Sequence, residues 1–352
     1  MNILINGVGG PTPRSIARSI RRYSQFDNVK LIGTDINSLA YGLYEDDLYD
    51  HTYLVPPAGH PDYWSAMGKI IKEHHIEMAM VHPENEVMAW SKRISDGEAP
   101  CKALLPSYKM SKLLVDKSKM TEVLKDSGLV PNSFVFDSDF QNFEGLEATL
   151  PYPFWVRATK GSSGLGSLKV ENQKALKNWL HINPNVKRFI ASTFLPERNL
   201  AVKLLYYDGV LLRSASGERV NYIMSQVAPS GITGNTSFGR LLNEPNLVDK
   251  ASKAMDLLFE HTKSVKHGFF TADFKEDEFG RPYITEINVR MVAFNMSFAA
   301  GGANFTEDII KLLDNDQSFN KSYKMYEFDP GTIFLRDVDA EPKLMNERDL
   351  KS

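Results

Sequence analysis

The chain has 352 residues, 42% of them hydrophobic, with 41 basic against 44 acidic side chains and a net charge of −3. At roughly 150 residues per domain this suggests about two domains, with enough apolar content to bury a sizeable core, which excludes disorder as the main state. Balanced charge argues against nucleic acid or an anionic membrane as partner, no apolar run approaches the ~18 residues of a membrane span, and one cysteine, Cys101, excludes an internal disulfide or a Cys-based metal cluster.

The opening residues, MNILINGVGG, carry neither a basic segment nor an apolar signal core, so they predict a first strand and a cytoplasmic protein. Residues 2–6 read as that strand, Gly7-Val8-Gly9-Gly10 as a turn, and 13–24 as a helix with Arg on its outer face. A second strand covers 29–34 and ends at Asp35; a helix covers 62–75; a third strand covers 78–81 and runs into His82-Pro83-Glu84-Asn85-Glu86. Strand, helix and strand at these spacings imply parallel crossovers, hence a small open α/β sheet.

Residues 107–127 read as helical, with Ser107 as cap and Gly128 and Pro131 as the stop. From Phe134 the texture changes. Short strand patterns at 154–157, 167–170, 188–194, 200–207 and 210–214 lie close together and predict antiparallel pairing. A helix over 246–262 follows, then strands over 268–275 and 281–288, and one more over 331–336. No internal repeat or low-complexity tract is present. The reading is an α/β domain followed by an α+β region.

Three constellations carry chemistry. Gly7-x-Gly9-Gly10, with Asp35 at the end of the second strand, is placed as a dinucleotide turn and its ribose acid would be; the full G-x-G-x-x-G pattern is absent, and the bland reading is a tight turn. In Trp155-Val156-Arg157-Ala158-Thr159-Lys160 and the run Gly161 to Ser167, a strand delivers a cation and then a Gly/Ser-rich loop turns back. Small residues there let backbone N–H groups approach phosphate oxygens, although an ordinary hairpin has the same composition.

The third is the most informative. Residues 268–290 form two strands around the turn Asp277-Glu278-Phe279-Gly280. Glu286, Asn288 and Arg290 alternate by two and share one face, with Asp273 on the partner strand able to fall beside them. Two carboxylates and an amide oxygen suit Mg²⁺ (or Mn²⁺), and an adjacent arginine can stabilise a transferring phosphoryl group.

Together these pieces resemble the ATP-grasp superfamily, in its branch similar to the carbamoyl-phosphate synthetase large subunit and the ATP-dependent carboxylate–amine ligases. The resemblance covers roughly residues 1–315. It rests on Leu54-Val55-Pro56-Pro57 followed by Tyr63, Asp116-Lys117-Ser118-Lys119 with Gly128-Leu129-Val130-Pro131, Phe154-Trp155-Val156-Arg157, the hinge-and-strand segment 189–202, Glu286-x-Asn288-x-Arg290, and Gly301-Gly302-Ala303-Asn304. It implies a Rossmann-like pre-ATP-grasp α/β domain at 1–106, a central and lid subdomain at 107–190, a C-terminal ATP-grasp subdomain at 191–315 and an extension at 316–352.

The resemblance also implies roles. Lys117 and Arg157 contact ATP phosphates, and the loop with Ser163 and Gly164 is the lid over them. Thr193, Phe194 and Leu195 form the adenine hinge, with Asn199 at the ribose. Asp273, Glu286 and Asn288 hold one or two Mg²⁺ ions, and Arg290 and Arg157 act at the γ-phosphate. Thr193 and Asn199 depart from the family's usual Glu at both positions. Lys160 is either a second phosphate contact or a solvated charge. Arg219 is either the substrate-carboxylate contact or a surface arginine, and residues 228–234 read as a loop near the acceptor pocket. His267, just before the metal strand, reads as a packed or capping histidine rather than a ligand, and His74, His75 and His82 show no metal-ligand spacing with any cysteine.

The implied activity is ligation of a small-molecule carboxylate to an amine through an acyl phosphate, with no nucleic acid or membrane partner, and with homodimers common in the family. An acyl- or carbamoyl-phosphate-forming phosphotransferase, a non-catalytic ATP sensor and, last, a dinucleotide-dependent oxidoreductase are the alternatives.

Overall fold

The computed structural model describes residues 1–349 apart from 162, 163, 165, 229, 232, 293 and 338–342. The apolar run NILIN forms β1 (Asn2–Asn6), with α1 (Pro11–Tyr23), β2 (Lys30–Asp35), β3 (His51–Leu54), α2 (Tyr63–Glu73), β4 (Met78–Met80) and α3 (Glu84–Ser95) after it. The strands make a four-stranded parallel sheet in the order β3-β2-β1-β4. Sequence reading passed over β3, a short and largely polar edge strand, and α3. That helix starts directly after Pro83, with Glu84 and Glu86 in its first turn, where the helix dipole favours acids.

The single helix predicted over 107–127 is two, α4 (Tyr108–Leu114) and α5 (Lys117–Leu124). Ser107 caps the first by accepting from the Met110 N–H at 3.2 Å. Asp116 interrupts the run because its carboxylate caps the second, accepting from the Ser118 N–H at 3.1 Å. Gly128, at φ +71°, closes the turn that follows.

A small antiparallel sheet comes next. β5 (Ser133–Asp137), α6 (Phe143–Thr149), β6 (Phe154–Ala158), β7 (Leu168–Val170), α7 (Gln173–Ile182) and β8 (Arg188–Thr193) give the strand order β5-β8-β6-β7. Phe136, Phe154 and Phe189 of the strands share a core with Leu146 and Leu176 of the helices.

The large sheet is built from β9 (Asn199–Tyr207), β10 (Val210–Tyr222), β11 (Thr236–Leu242), β12 (Gly268–Glu276), β13 (Pro282–Asn288), β14 (Lys324–Met325), β15 (Thr332–Leu335) and β16 (Lys343–Asn346). Its eight strands run β13-β12-β9-β10-β11-β15-β16, with β14 beside β10. Residues beyond 316 therefore complete this sheet. β10 is far longer than the predicted 210–214, because pairing with β9 on one side and β11 on the other holds the small and polar stretch Ser214 to Glu218 extended.

Strand alternation splits the core into two faces. Leu200, Val202, Leu204 and Tyr206 pack with α4, α5 and α8 (Pro245–Thr262). Ala201 and Leu205 face α9 (Asn295–Ala300) and α10 (Phe305–Leu313). Both cores run on into the N-terminal sheet, through Leu4 and Ile32 on one side and Ile3 and Ile5 on the other. Ser15 of α1 accepts from the Met296 N–H at 2.8 Å, fastening α1 to α9. Among the described residues no helix is long and apolar enough to cross a membrane.

One buried acid gives this packing a pH signature. Asp308 of α10 accepts from the Tyr326 hydroxyl at 2.6 Å and lies 3.7 Å from Arg213. Burial raises its carboxyl to about 6 against those two opposing contacts. The folded state thus holds this proton more tightly than the unfolded chain, so its contribution is full at low pH and fades as pH rises from about 4 to about 6. Urea unfolding should show the Asp308→Asn variant gaining up to about 3 kcal/mol on the wild type between about pH 4 and pH 7. Parallel pH profiles would contradict this.

Candidate active site

The site grows from the hairpin of β12 and β13. Its turn is set by Asp277, whose carboxylate accepts from the N–H groups of Phe279 at 3.0 Å and Arg281 at 2.8 Å, with Gly280 at φ +71°. Beyond the turn Phe274 pairs with Ile284, yet Asp273 pairs with Glu286, so Thr285 is an extra residue and β13 carries a bulge. The bulge keeps Ile284 and Ile287 buried while bringing Glu286 opposite Asp273. It also turns out the Thr285 carbonyl, which accepts from the Arg157 guanidinium of β6.

Two carboxylates facing each other across a ladder repel, so the surrounding cations matter. Lys117, at the start of α5, places Nζ 3.1 Å from Glu286 Oε1 and donates to the Gly161 carbonyl at 2.7 Å. Arg219 of β10 donates to Asp273 Oδ1, and Asn288 Nδ2 donates to Asp273 Oδ2 at 3.2 Å, while the Asn288 amide oxygen bonds no described group. Arg290 reaches back to Glu84 of α3 at 3.5 Å, tying the N-terminal sheet to the site.

The resulting electrostatics are asymmetric. Burial works to raise the Glu286 carboxyl, but Lys117, Arg157 and Arg290 together hold it below its ordinary range. The Asp273 carboxyl is raised, by burial first and by Glu286, against Arg219 and Lys203. Lys203 of β9 is 0% exposed, bonds only the Thr271 hydroxyl at 3.3 Å among the described residues, and lies 4.5 Å from the Phe294 ring centre. Burial, with Arg219 and Arg290 nearby, pushes its ammonium well below the usual lysine range.

Two clefts meet at this wall. One runs between the small and large sheets, past Trp155, Arg157, Phe194, Leu195, Asn199 and Lys275. The other opens toward the N-terminal sheet, past Thr12, His82, Asn235, Asn288 and Arg290. Arg219, Asp273 and Glu286 line both.

No family model matches the chain. It is 26% identical to urea amidolyase of Saccharomyces cerevisiae over 237 residues, 64% of this chain but only 12% of that protein. In structure it is similar to N5-carboxyaminoimidazole synthetase from Staphylococcus aureus, solved with ADP, with a TM-score of 0.70 at 15% identity over 95% of this chain and 81% of the other. It is also similar to the L-amino acid ligase from Bacillus licheniformis, with a TM-score of 0.67 at 16% identity over 95% and 78%. The chain has the ATP-grasp fold.

Within this ATP-grasp fold the residues expected at the site fall in three groups. Lys117, Arg157, Asp273, Glu286, Asn288 and Arg290 converge. Thr193, Phe194, Leu195 and Asn199 line the first cleft away from the acids. The Thr193 N–H is already bonded to the Asn132 carbonyl at 3.0 Å, whereas the N–H of Leu195 bonds no described group. Lys160 is exposed, 3.9 Å from Asp116. Gly164 has φ +76°, and Ser163 lies outside the described residues. Arg219 is largely covered, its side chain 12% exposed and paired with Asp273, so the surface-arginine reading is wrong; it is drawn in because β10 continues past Ser214.

Sequence reasoning missed Lys203, Glu84, and Tyr222 and Lys275, which both line the first cleft. Lys203 had a signal, as the one charge inside the apolar run NLAVKLLYY. The others are brought in by tertiary pairing alone. Among the described residues no three His, Cys, Asp or Glu side chains form a metal cage. Two carboxylates and an amide oxygen instead fit an ion such as Mg²⁺ that takes its remaining ligands from phosphates and water.

The glycine turn is closed to a dinucleotide. The Gly7 and Val8 N–H groups bond the Thr34 carbonyl, Gly10 bonds the Gly7 carbonyl, and Gly9 bonds the Asp35 carboxylate at 2.8 Å. Pro11 and Pro13 have no N–H to offer. Asp35 is spent on Gly9 and on Asn37. A fluorescence titration with NADH should show no saturable binding; a hyperbolic curve that Asp35→Ala abolishes would contradict this.

Proposed function

We propose that this chain is an ATP- and Mg²⁺-dependent ligase that joins a carboxylate to an amine through an acyl phosphate. The observation that carries the reading is the Asp273–Glu286 pair on the wall shared by two clefts, with the cations Lys117, Arg157, Arg219 and Arg290 around it. The fold and the activities named for its two structural neighbours support it.

In this reading the nucleotide occupies the first cleft. The Leu195 N–H meets the adenine edge, Asn199 lies at the sugar, and the loop after Lys160 covers the triphosphate. Asp273, Glu286 and the Asn288 amide oxygen would hold Mg²⁺, which supplies charge neutralisation at the phosphates when bound. Lys117, now paired with Glu286, is placed to turn to a phosphate oxygen. Arg157 is fixed by the Thr285 carbonyl, so its guanidinium needs little reorganisation to meet the charge developing on the transferring group.

The acid substrate occupies the second cleft. Its carboxylate attacks the γ-phosphorus, ADP leaves with the bridging oxygen, and the acyl phosphate forms beside Arg290 and Arg219. The amine nitrogen then attacks the acyl carbon, the C–O bond to phosphate breaks, and phosphate departs with that electron pair while the nitrogen loses a proton. No protein nucleophile is required. Such an enzyme would work in the cytoplasm, where ATP and Mg²⁺ are both abundant.

The test is ADP and phosphate release from MgATP with a panel of amino acids, singly and in pairs. Acid-dependent release is expected, falling about 10²- to 10³-fold in Glu286→Gln, as for loss of one charge-stabilising group. Full activity of that variant would overturn the assignment of the metal-binding wall.

A further inference from the structure

His82 follows β4 and belongs to no part of the machinery described so far. It is 6% exposed, and it lines the second cleft with Thr12, Asn235, Asn288 and Arg290. Its Nδ1 lies 3.1 Å from the Met80 carbonyl oxygen, two residues back. A carbonyl only accepts, so Nδ1 must carry the hydrogen. In the neutral ring Nε2 is then a bare lone pair, and it makes no hydrogen bond to any described residue. The neutral ring is the expected form: burial drops the imidazole to about 3, with the Arg290 cation adding to burial and the Met80 contact opposing both.

The charged groups of this cleft offer the opposite chemistry, and another neutral acceptor there, the Asn288 amide oxygen, is the one assigned to the metal. Arg219 and Arg290 present cationic donors, suited to a carboxylate or an acyl phosphate. Asp273 and Glu286 are engaged by Arg219 and Lys117. His82 therefore supplies a neutral, unengaged acceptor on the N-terminal side of the cleft, facing a region otherwise rich in cations. An anion gains nothing from a lone pair, but an uncharged N–H donor does.

We propose that His82 is the binding residue for the amine nucleophile, its Nε2 accepting a hydrogen bond from the amine N–H and so orienting the nitrogen lone pair toward the acyl carbon held near Arg290. This rests on the ligase reading above and adds the substrate class to it: a neutral nucleophile with at least one N–H, bound from the N-terminal sheet. The loop that carries His82 also leads into Glu84, the partner of Arg290, so one segment sets both the acceptor and the cation.

The test has two arms on the full chain. In the first, ¹⁵N-histidine NMR reads the tautomer of His82, assigned with His82→Gln, between about pH 6 and pH 8. A ring protonated on Nδ1 and bare on Nε2 throughout is expected; an Nε2–H tautomer, or an imidazolium at about pH 6, overturns the proposal. In the second, His82→Leu and His82→Gln are compared with wild type on the amino-acid panel, after thermal melts establish that they fold. His82→Leu should lower kcat/KM for the amine about 10- to 100-fold while the KM for ATP stays within about twofold, and Gln, which restores an acceptor, should recover part of the loss. An active enzyme whose amine kinetics ignore both substitutions overturns the role of His82 alone. A wild type that turns over no acid–amine pair removes the ligase reading and this proposal with it.

Discussion

Everything at the centre of this molecule follows from holding two carboxylates, Asp273 and Glu286, opposite each other on adjacent strands. Unaided, such a pair is repulsive and buried charge is costly. The fold answers with a ring of cations drawn from separate elements: Lys117 from the start of α5, Arg157 from the small sheet, Arg219 from β10, and Arg290 from the segment after β13. Each carboxylate is thereby kept inside the protein with partners that can be exchanged. A wall with surplus positive charge around two acids is complementary to a polyanion that brings a divalent cation with it.

The bulge at Thr285 is the local device that makes this possible. Without the extra residue, strict alternation over β13 would place Ile284 and Glu286 on one face, and either a hydrophobic side chain would be exposed or the acid would face the core. With it, Ile284 and Ile287 are both buried and Glu286 meets Asp273. The freed carbonyl of Thr285 then orients Arg157 across the boundary between the two sheets. Backbone irregularity and side-chain chemistry are coupled at this one position.

How much of this could be read in advance varies by element. The hairpin was legible, because Asp277 to Gly280 is a turn with its own hydrogen-bond logic and because Glu286, Asn288 and Arg290 keep a period of two. The parallel N-terminal sheet was legible from apolar runs at crossover spacing. The bulge was not, since nothing in Tyr283-Ile284-Thr285-Glu286 distinguishes an extra residue from an ordinary one. The break at Asp116 was hidden because a capping acid and a helical acid look alike in one dimension. Arg219 stays open between site and surface in the sequence for a tertiary reason: the polar stretch after Ser214 is extended because strands flank it on both sides. The glycine turn is the reverse case, a pattern that can suggest a ligand but whose N–H groups are satisfied by the protein itself, as the tight-turn reading holds.

The central claim is that the Asp273–Glu286 wall binds a nucleotide's phosphates only together with a divalent ion. Calorimetry with a non-hydrolysable ATP analogue, with and without Mg²⁺, tests it most directly. The account predicts a saturable isotherm that requires Mg²⁺ and disappears when Asp273→Asn and Glu286→Gln are combined in a folded protein. Binding of equal strength without the ion, or undiminished in the double variant, would contradict it.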